Sequence, residues 1–502
     1  MLGIRASALT PRQIDAKTVR SLRALQPTLH KLYNLVANDI DFVTDALRAR
    51  MPPCAWQEKE LAVFRKVAEH SKHKPRLLLP NSIYHQTDHS TNSLVLTVGN
   101  VQAGEPYQVE VLHRRMCKST APSHRSQLAR GPLAAHCKAI AFAAKLVHPT
   151  APCVAVLTKP GDALAKRTWA DVHGVGDELV NKNGIHTVIY VSMRDLAEAQ
   201  LEYDGFGHHL RLGEHRISLI YSRYDFSHPF GQPLGSQRLA DALDGTKDIG
   251  SSKSTASPAV DTDGDRLQEL WKEWDTIELM ERSTAIISSD LGCRLAHRRG
   301  VTYALKQECG LERFLTDSAE LQAVRNILPE QWSLRDCDEM SLEEARAMVM
   351  EDANGFVAKN VLRPRTGSGA TQDRHASGGM PLTDAAELRE LLAETNKYGS
   401  PRREWYLLFR KLEPVPHDAK LLLIDGKEHE ISQAAISEIA AYGAFLTHPG
   451  PTTEPLINEC AGLAARTRPA STQHELASSL GYGALSLIAT EEGEEQDFPE
   501  RC

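Results

Sequence analysis

Residues 355–379, GFVAKNVLRPRTGSGATQDRHASGG, carry the composition that holds phosphate. Gly367, Gly369, Gly378 and Gly379 let the backbone approach a ligand closely, and Lys359, Arg363 and Arg365 bring cations to the same place. Gly-Lys-Ser/Thr does not occur, so this is not a Walker A loop. A flexible basic surface loop would have the same residues.

Phosphate chemistry with magnesium also needs hard oxygen ligands. Glu110, ending the strand-like YQVEV, and Glu438, in the apolar ISEIA, are the acids to consider. A glutamate in an apolar run is costly to bury unless paired, hydrogen-bonded or bound to metal. Glu438 is therefore read as functional, whereas Glu110 fits an exposed strand equally well. Arg298 with Arg299, and Arg466 with Arg468 in GLAARTRP, could each hold an anionic group or be solvated surface.

The elements that must position these residues follow from periodicity. From about residue 17 to 71 apolar residues recur at three and four (Leu29, Leu32, Leu35, Val36; Ile40, Val43, Leu47), as on amphipathic helices. KPRLLLPNSIY, SLVLTVGNVQ and EPYQVEVLH contain short β-branched runs that read as strands. Between about 150 and 226 the order is strand (CVAVLT), helix (TWADVHGVGDELVNKNG, with Gly184 as its stop), strand (HTVIYV), further helix and strand (ISLIYS), which predicts a parallel α/β layer. A stretch poor in large apolar residues, 245–265, reads as a mobile surface insertion. WKEWDTIELMERSTAIISSDLGCRLAHRRGVTYAL opens a helical block, followed by the glycine loop, the strands WYLLFRKLEP and KLLLIDG, the run ISEIAAYGAFL and an acidic tail.

Composition narrows the class. In 502 residues, 41% are hydrophobic and 25% charged, enough for two or three packed domains. Lys+Arg 58 against Asp+Glu 65 gives a net charge of -7, so no global field draws in nucleic acid or an anionic membrane. Anionic substrates must be met by local cations. The nine cysteines include no Cys-x-x-Cys pair, which argues against a zinc ribbon or disulfide scaffold and suits a reducing compartment. The N-terminus lacks the apolar core of a secretory signal, and no apolar run reaches the ~20 residues of a membrane helix. A cytoplasmic protein is expected.

Several stretches, in order, resemble the eukaryotic glutathione synthetase family. They are LYNLVANDIDFVTDAL, ISLIYSRYDF, WDTIELMERSTAIISSDLGCRLA, YLLFRKLEPVP, ISEIAAYG, and GLAARTR followed by LGYGALS. The resemblance implies an α/β (α+β) chain of ATP-grasp fold with an inserted parallel α/β substrate-binding domain and a glycine-rich lid. It divides the chain into an N-terminal body (1–145), the substrate-binding domain (146–232), a flexible insertion (233–272), a helical body segment (273–350), the lid (351–425) and a C-terminal body with tail (426–502). The implied reaction joins γ-glutamylcysteine to glycine through an acyl phosphate, with ATP and Mg2+ as cofactors, in a cytoplasmic homodimer. A catalytically weak or silent homologue acting as a binding or regulatory partner is the alternative.

Carried over by position, the resemblance gives Arg363 and Arg466 catalytic roles. It places ATP at Arg299, Lys359, Arg363, Gly367, Ser368, Gly369, Lys411, Glu438 and Arg468, the acid substrate at Arg223, Arg466, Leu480 and Gly481, and metal at Glu110. The chain departs from the family at four places. The Glu-Ile-Asn-Thr magnesium motif reads EVLH, which puts Leu112 at a metal-binding asparagine. In the glycine loop, LRPRTGSGA has Thr366 or Gly367 where a metal-binding glutamate is expected, and Asp373 is the nearby acid that could replace it. NSIY lacks a substrate arginine, and TKPGDALAKRTW lacks the dipeptide-contacting residues.

Overall fold

The computed structural model describes residues 7–8, 11–50, 55–87, 94–100, 104–119, 128–158, 165–205, 207–223, 262–361, 382–394, 402–422, 430–450, 454–470 and 484–490. Arg363, Gly367, Ser368, Gly369, Asp373, Leu480, Gly481 and the expected insertion up to residue 261 lie outside them, whereas its last part, expected to be flexible as far as 272, belongs to the Thr262–Arg282 helix.

Alternating apolar residues build the centre of the molecule, a 12-stranded mixed sheet. Its longest members, Glu430–Thr447 and Pro455–Pro469, pair antiparallel as one hairpin. Asn81–Gln86 pairs antiparallel with the first of these strands, and Leu94–Asn100 pairs with Asn81–Gln86 in turn. Beyond Leu77–Leu78 the sheet turns parallel through Ile286–Ser288, Leu219–Ser222, Cys153–Leu157 and Thr187–Val191. The parallel layer expected from residues 150–226 is therefore present, and it continues the main sheet.

Helices cover the sheet because their apolar stripes have nowhere else to go. Ala16–Asn38 starts where the Asp15 carboxylate accepts the Thr18 amide at 2.9 Å. It buries Leu22, Leu29, Leu32 and Val36 against the long hairpin and the Leu291–Ala296 helix. Leu133–Val147 and Ala165–Asn183 pack on the parallel strands through Ile140, Val175 and Leu179, and Gly184 at φ +65° ends the second helix.

A smaller antiparallel sheet orders Gln331–Ser333, Tyr406–Arg410 and Phe356–Asn360. With the Glu339–Glu351 and Ala385–Ala393 helices it encloses its own core of Leu342, Val349, Leu388, Leu391 and Leu408. This unit begins near 331, earlier than the lid boundary of 351 drawn from the sequence.

Three local readings change. EPYQVEVLH is not a strand: it opens the Pro106–Ser119 helix, whose Val109, Leu112 and Met116 recur at three and four and pack under Tyr442 and Leu485. Proline at the first helical position fits, since its missing N–H would have had no partner there. The long helical block is interrupted by Ile286–Ser288, a β-branched run drawn into the sheet. The further helix after HTVIYV is the short Met193–Ala197, followed by a three-stranded sheet of Gln200–Tyr203, His208–Leu212 and His215–Ile217.

The interior is rich in buried charge. Lys74 donates to the carbonyls of Glu281, Ser283 and Ala285 at 2.9, 3.0 and 3.3 Å. Arg76 meets Asp290 at 2.6 Å, and Arg298 meets Glu60 at 2.7 Å. The seven cysteines among the described residues are all free. No helix among them is long and apolar enough to cross a membrane.

His30, His136 and His297 are buried, which pushes each pKa down to about 4 from 6.5 despite hydrogen bonds with Asn458, the Gly443 carbonyl and the Cys293 carbonyl. Below the unfolded value the unfolded chain binds more protons than the folded one, so stability falls as pH drops from about 6.5 towards about 4. The expected loss is about 2 kcal/mol per histidine near pH ~5. Urea midpoints at pH ~7.5 and ~5 test this. A midpoint that does not move, or rises on acidification, would contradict it.

Candidate active site

Side chains alternate across a strand, so Glu438 and Arg466, directly opposed in the long hairpin, emerge on one face of the sheet. His85 on the neighbouring strand stands opposite Glu438, its Nε2 3.8 Å from the Glu438 carboxylate. Arg468, two residues beyond Arg466 on the same strand face, is also buried.

Arg466 Nη2 lies 3.6 Å from a carboxylate oxygen of Glu105. Burial works against the Arg466 charge, but Glu105 first, with Tyr442 and Glu438, outweighs it, and the pKa is raised. Arg223 follows Leu219–Ser222 and reaches Asp171 at 3.4 Å. Burial again opposes its charge and is outweighed, chiefly by Tyr221, Asp171 and Glu105. Asp171, on the Ala165–Asn183 helix, also accepts the Tyr107 amide at 2.9 Å and so caps the Pro106–Ser119 helix. Burial raises its pKa, although Arg223 and the amides of Tyr107 and Gln108 pull the other way. Arg223, Arg466, Glu105 and Asp171 thus form one charged network beside Glu438.

A second group belongs to the small sheet. Lys359 is 8% exposed, its ammonium 5.0 Å from the centre of the Phe409 ring. Arg299, the first residue of the Arg299–Lys306 helix, donates through its guanidinium to the carbonyl of Asn360, next to Lys359. The Lys411 amide donates to Gly355 at 2.8 Å, and its side chain is exposed. Residues 411–416 then lead to the main sheet, where the Val415 amide donates to Gln86 at 3.1 Å, one residue from His85. Arg298, considered with Arg299 as an anion holder, is instead taken by Glu60.

Glu105, Asp171 and His85 were not singled out by sequence. Glu105 had a local signal, an acid between Gly104 and Pro106, where a turn is expected. Asp171 had none, because its partner Arg223 is remote in the chain.

The metal expectation does not fit the described residues. Glu110 lies on a helix and accepts from Arg114 at 2.8 Å, and Leu112 packs in the core. Among the described residues no group of three or more His, Cys, Asp or Glu is placed to hold a metal ion.

The family model for the eukaryotic glutathione synthase ATP-binding domain matches residues 4–489. The chain belongs to that family. It is 23% identical over 492 residues to the chloroplastic glutathione synthetase of Arabidopsis thaliana, covering 96% of this chain and 78% of that protein. A match to the chloroplastic enzyme of Solanum lycopersicum is 26% identical over 217 residues, covering 43% of this chain and 35% of the tomato protein. Among solved structures, a glutathione synthetase-like effector from Globodera pallida in apo form shares the fold. The TM-score is 0.62 at 14% identity, covering 97% of this chain and 90% of that one. The mixed α/β architecture is thus of the ATP-grasp type found in glutathione synthetase-like proteins.

Asp171→Ala removes both a buried counter-charge and a helix cap. The expected cost is about 3 kcal/mol in urea unfolding. A loss under ~1 kcal/mol would mean that Arg223 does not depend on Asp171.

Proposed function

We propose that this chain is an ATP-dependent acid-amine ligase that joins γ-glutamylcysteine to glycine. The supporting observation is the buried pair Arg223 and Arg466 beside Glu438, which are the positions where the sequence resemblance expects substrate and nucleotide contacts. Two buried guanidiniums on one side of a sheet suit an acid that carries two carboxylates, as this dipeptide does.

A carboxylate oxygen of the acid attacks the γ-phosphorus of ATP and ADP leaves, forming an acyl phosphate. The amine of glycine then attacks the acyl carbon, phosphate departs, and the nitrogen gives up a proton. Both reactants of the first step are anions, so positioning and charge neutralisation dominate. Arg466 and Arg223 hold the acid, while Lys359, Arg299 and Arg468 face the nucleotide phosphates. Glu438 and Lys411 take the adenosine end, and the sequence resemblance assigns Arg363 and residues 367–369, outside the described residues, to the nucleotide as well. Leu480 and Gly481, also outside the described residues, are assigned to the acid by the resemblance alone. The free cysteines accord with a cytosolic location. A homodimer is part of the reading and is checked by light scattering.

Purified protein is assayed for phosphate release with ATP, magnesium, γ-glutamylcysteine and glycine, omitting each in turn. Release that needs all the substrates is expected. Arg466→Ala is expected to lower kcat/KM for the dipeptide by the equivalent of about 2 to 4 kcal/mol. ATP binding without turnover would sink the ligase reading, and turnover with a different amine would reassign the acceptor. Unchanged KM and rate in Arg466→Ala would remove that residue from the site.

A further inference from the structure

Glu105 is buried, 5% exposed, yet its backbone sits at φ +72°. Non-glycine residues rarely adopt this left-handed conformation, and the neighbouring Pro106 further narrows the choices of the residue before it. Such a conformation persists only where the surroundings impose it, and it is concentrated at functional sites. What surrounds this one is the arginine pair. The Glu105 carboxylate is 3.6 Å from Arg466 Nη2, and it also acts on Arg223, whose guanidinium nitrogens lie 3.7 and 3.9 Å from where a Cβ on Gly104 would stand.

The contact is loose. Charge-assisted N–H···O bonds run to about 2.7–2.9 Å, and arginine usually grips a carboxylate with two parallel bonds. Here Glu105 and Arg466 Nη2 are 3.6 Å apart, and Arg466 Nε is buried with no hydrogen-bond partner. Donors therefore remain for a second acceptor. Asp171 accepts the Tyr107 amide at 2.9 Å. Of the two acids beside the arginines, Glu105 stands on the strained backbone, with a glycine directly before it to absorb a change of path.

We propose that Glu105 is an internal stand-in for the substrate carboxylate, neutralising Arg466 in the free protein and giving way when an acid substrate pairs with that arginine. It acts as a specificity-determining residue. An acid with one carboxylate gains too little at Arg466 to displace it, whereas an acid that also engages Arg223 gains enough. This rests on the reading of Arg466 and Arg223 as the acid-binding arginines.

The test is calorimetric titration of γ-glutamylcysteine, without nucleotide, into the wild-type chain, Glu105→Gln and Glu105→Gly. Gln keeps the shape and removes the charge. Gly suits φ +72° and keeps the fold accessible should the Gln variant fail to fold. Removing the competitor is expected to tighten binding at least about tenfold in both variants. Equal or weaker binding in both overturns the proposal, because Glu105 then does no more than hold Arg466 in place. The two readings fail separately. Tighter binding by the variants with no phosphate release from wild type removes the ligase reading alone, and turnover with unchanged variant affinity removes this one alone.

Discussion

A guanidinium taken out of water must be neutralised or it will not stay buried, and this requirement organises the molecule around Arg466 and Arg223. Each has an acid within reach, Glu105 at 3.6 Å and Asp171 at 3.4 Å. Bringing those acids there fixes much else. Asp171 must ride on a helix that packs against the parallel strands, and the Pro106–Ser119 helix must begin where Asp171 can cap it. The long hairpin must hold its register so that Glu438 stands opposite Arg466. A slip of one residue would turn both charges into the opposite face of the sheet.

Buried charge elsewhere serves the scaffold. Lys74 spends its three donors on carbonyls at the end of the Thr262–Arg282 helix and just beyond, and Arg76 pairs with Asp290 at the start of the next. Burial lowers the Lys74 pKa, with Glu281 and Asp290 opposing that shift. These groups have every partner they need within the fold. The Arg466 contact is longer and leaves its buried Nε without a hydrogen-bond partner.

Much of the fold was legible in the chain. Short apolar runs gave Cys153–Leu157, Thr187–Val191 and Phe356–Asn360, and a period near 3.6 gave Ala16–Asn38. YQVEV failed because both periods fit: Tyr107, Val109 and Val111 alternate, yet Val109, Leu112 and Met116 make the stripe that is buried. IIS was hidden inside a helical pattern too short to show a break. At the site, Arg466 and Glu438 could be named because they lie in local runs that resemble a family. Asp171 and His85 could not, since only folding brings them to Arg223 and Glu438.

The strands beneath Arg223 and Arg466 belong to one hydrogen-bonded sheet that runs unbroken from Thr187–Val191 to the long hairpin. Tilting one arginine away from the other would therefore cost ladder bonds along several strands. Lys359 stands on the small sheet, one side of which covers its own apolar cluster while Val357, Val361, Leu407 and Phe409 on the other side join the main core. Sliding the small sheet against the body would strip those four side chains of their apolar neighbours, so the two layers are coupled by packing as well as by the chain.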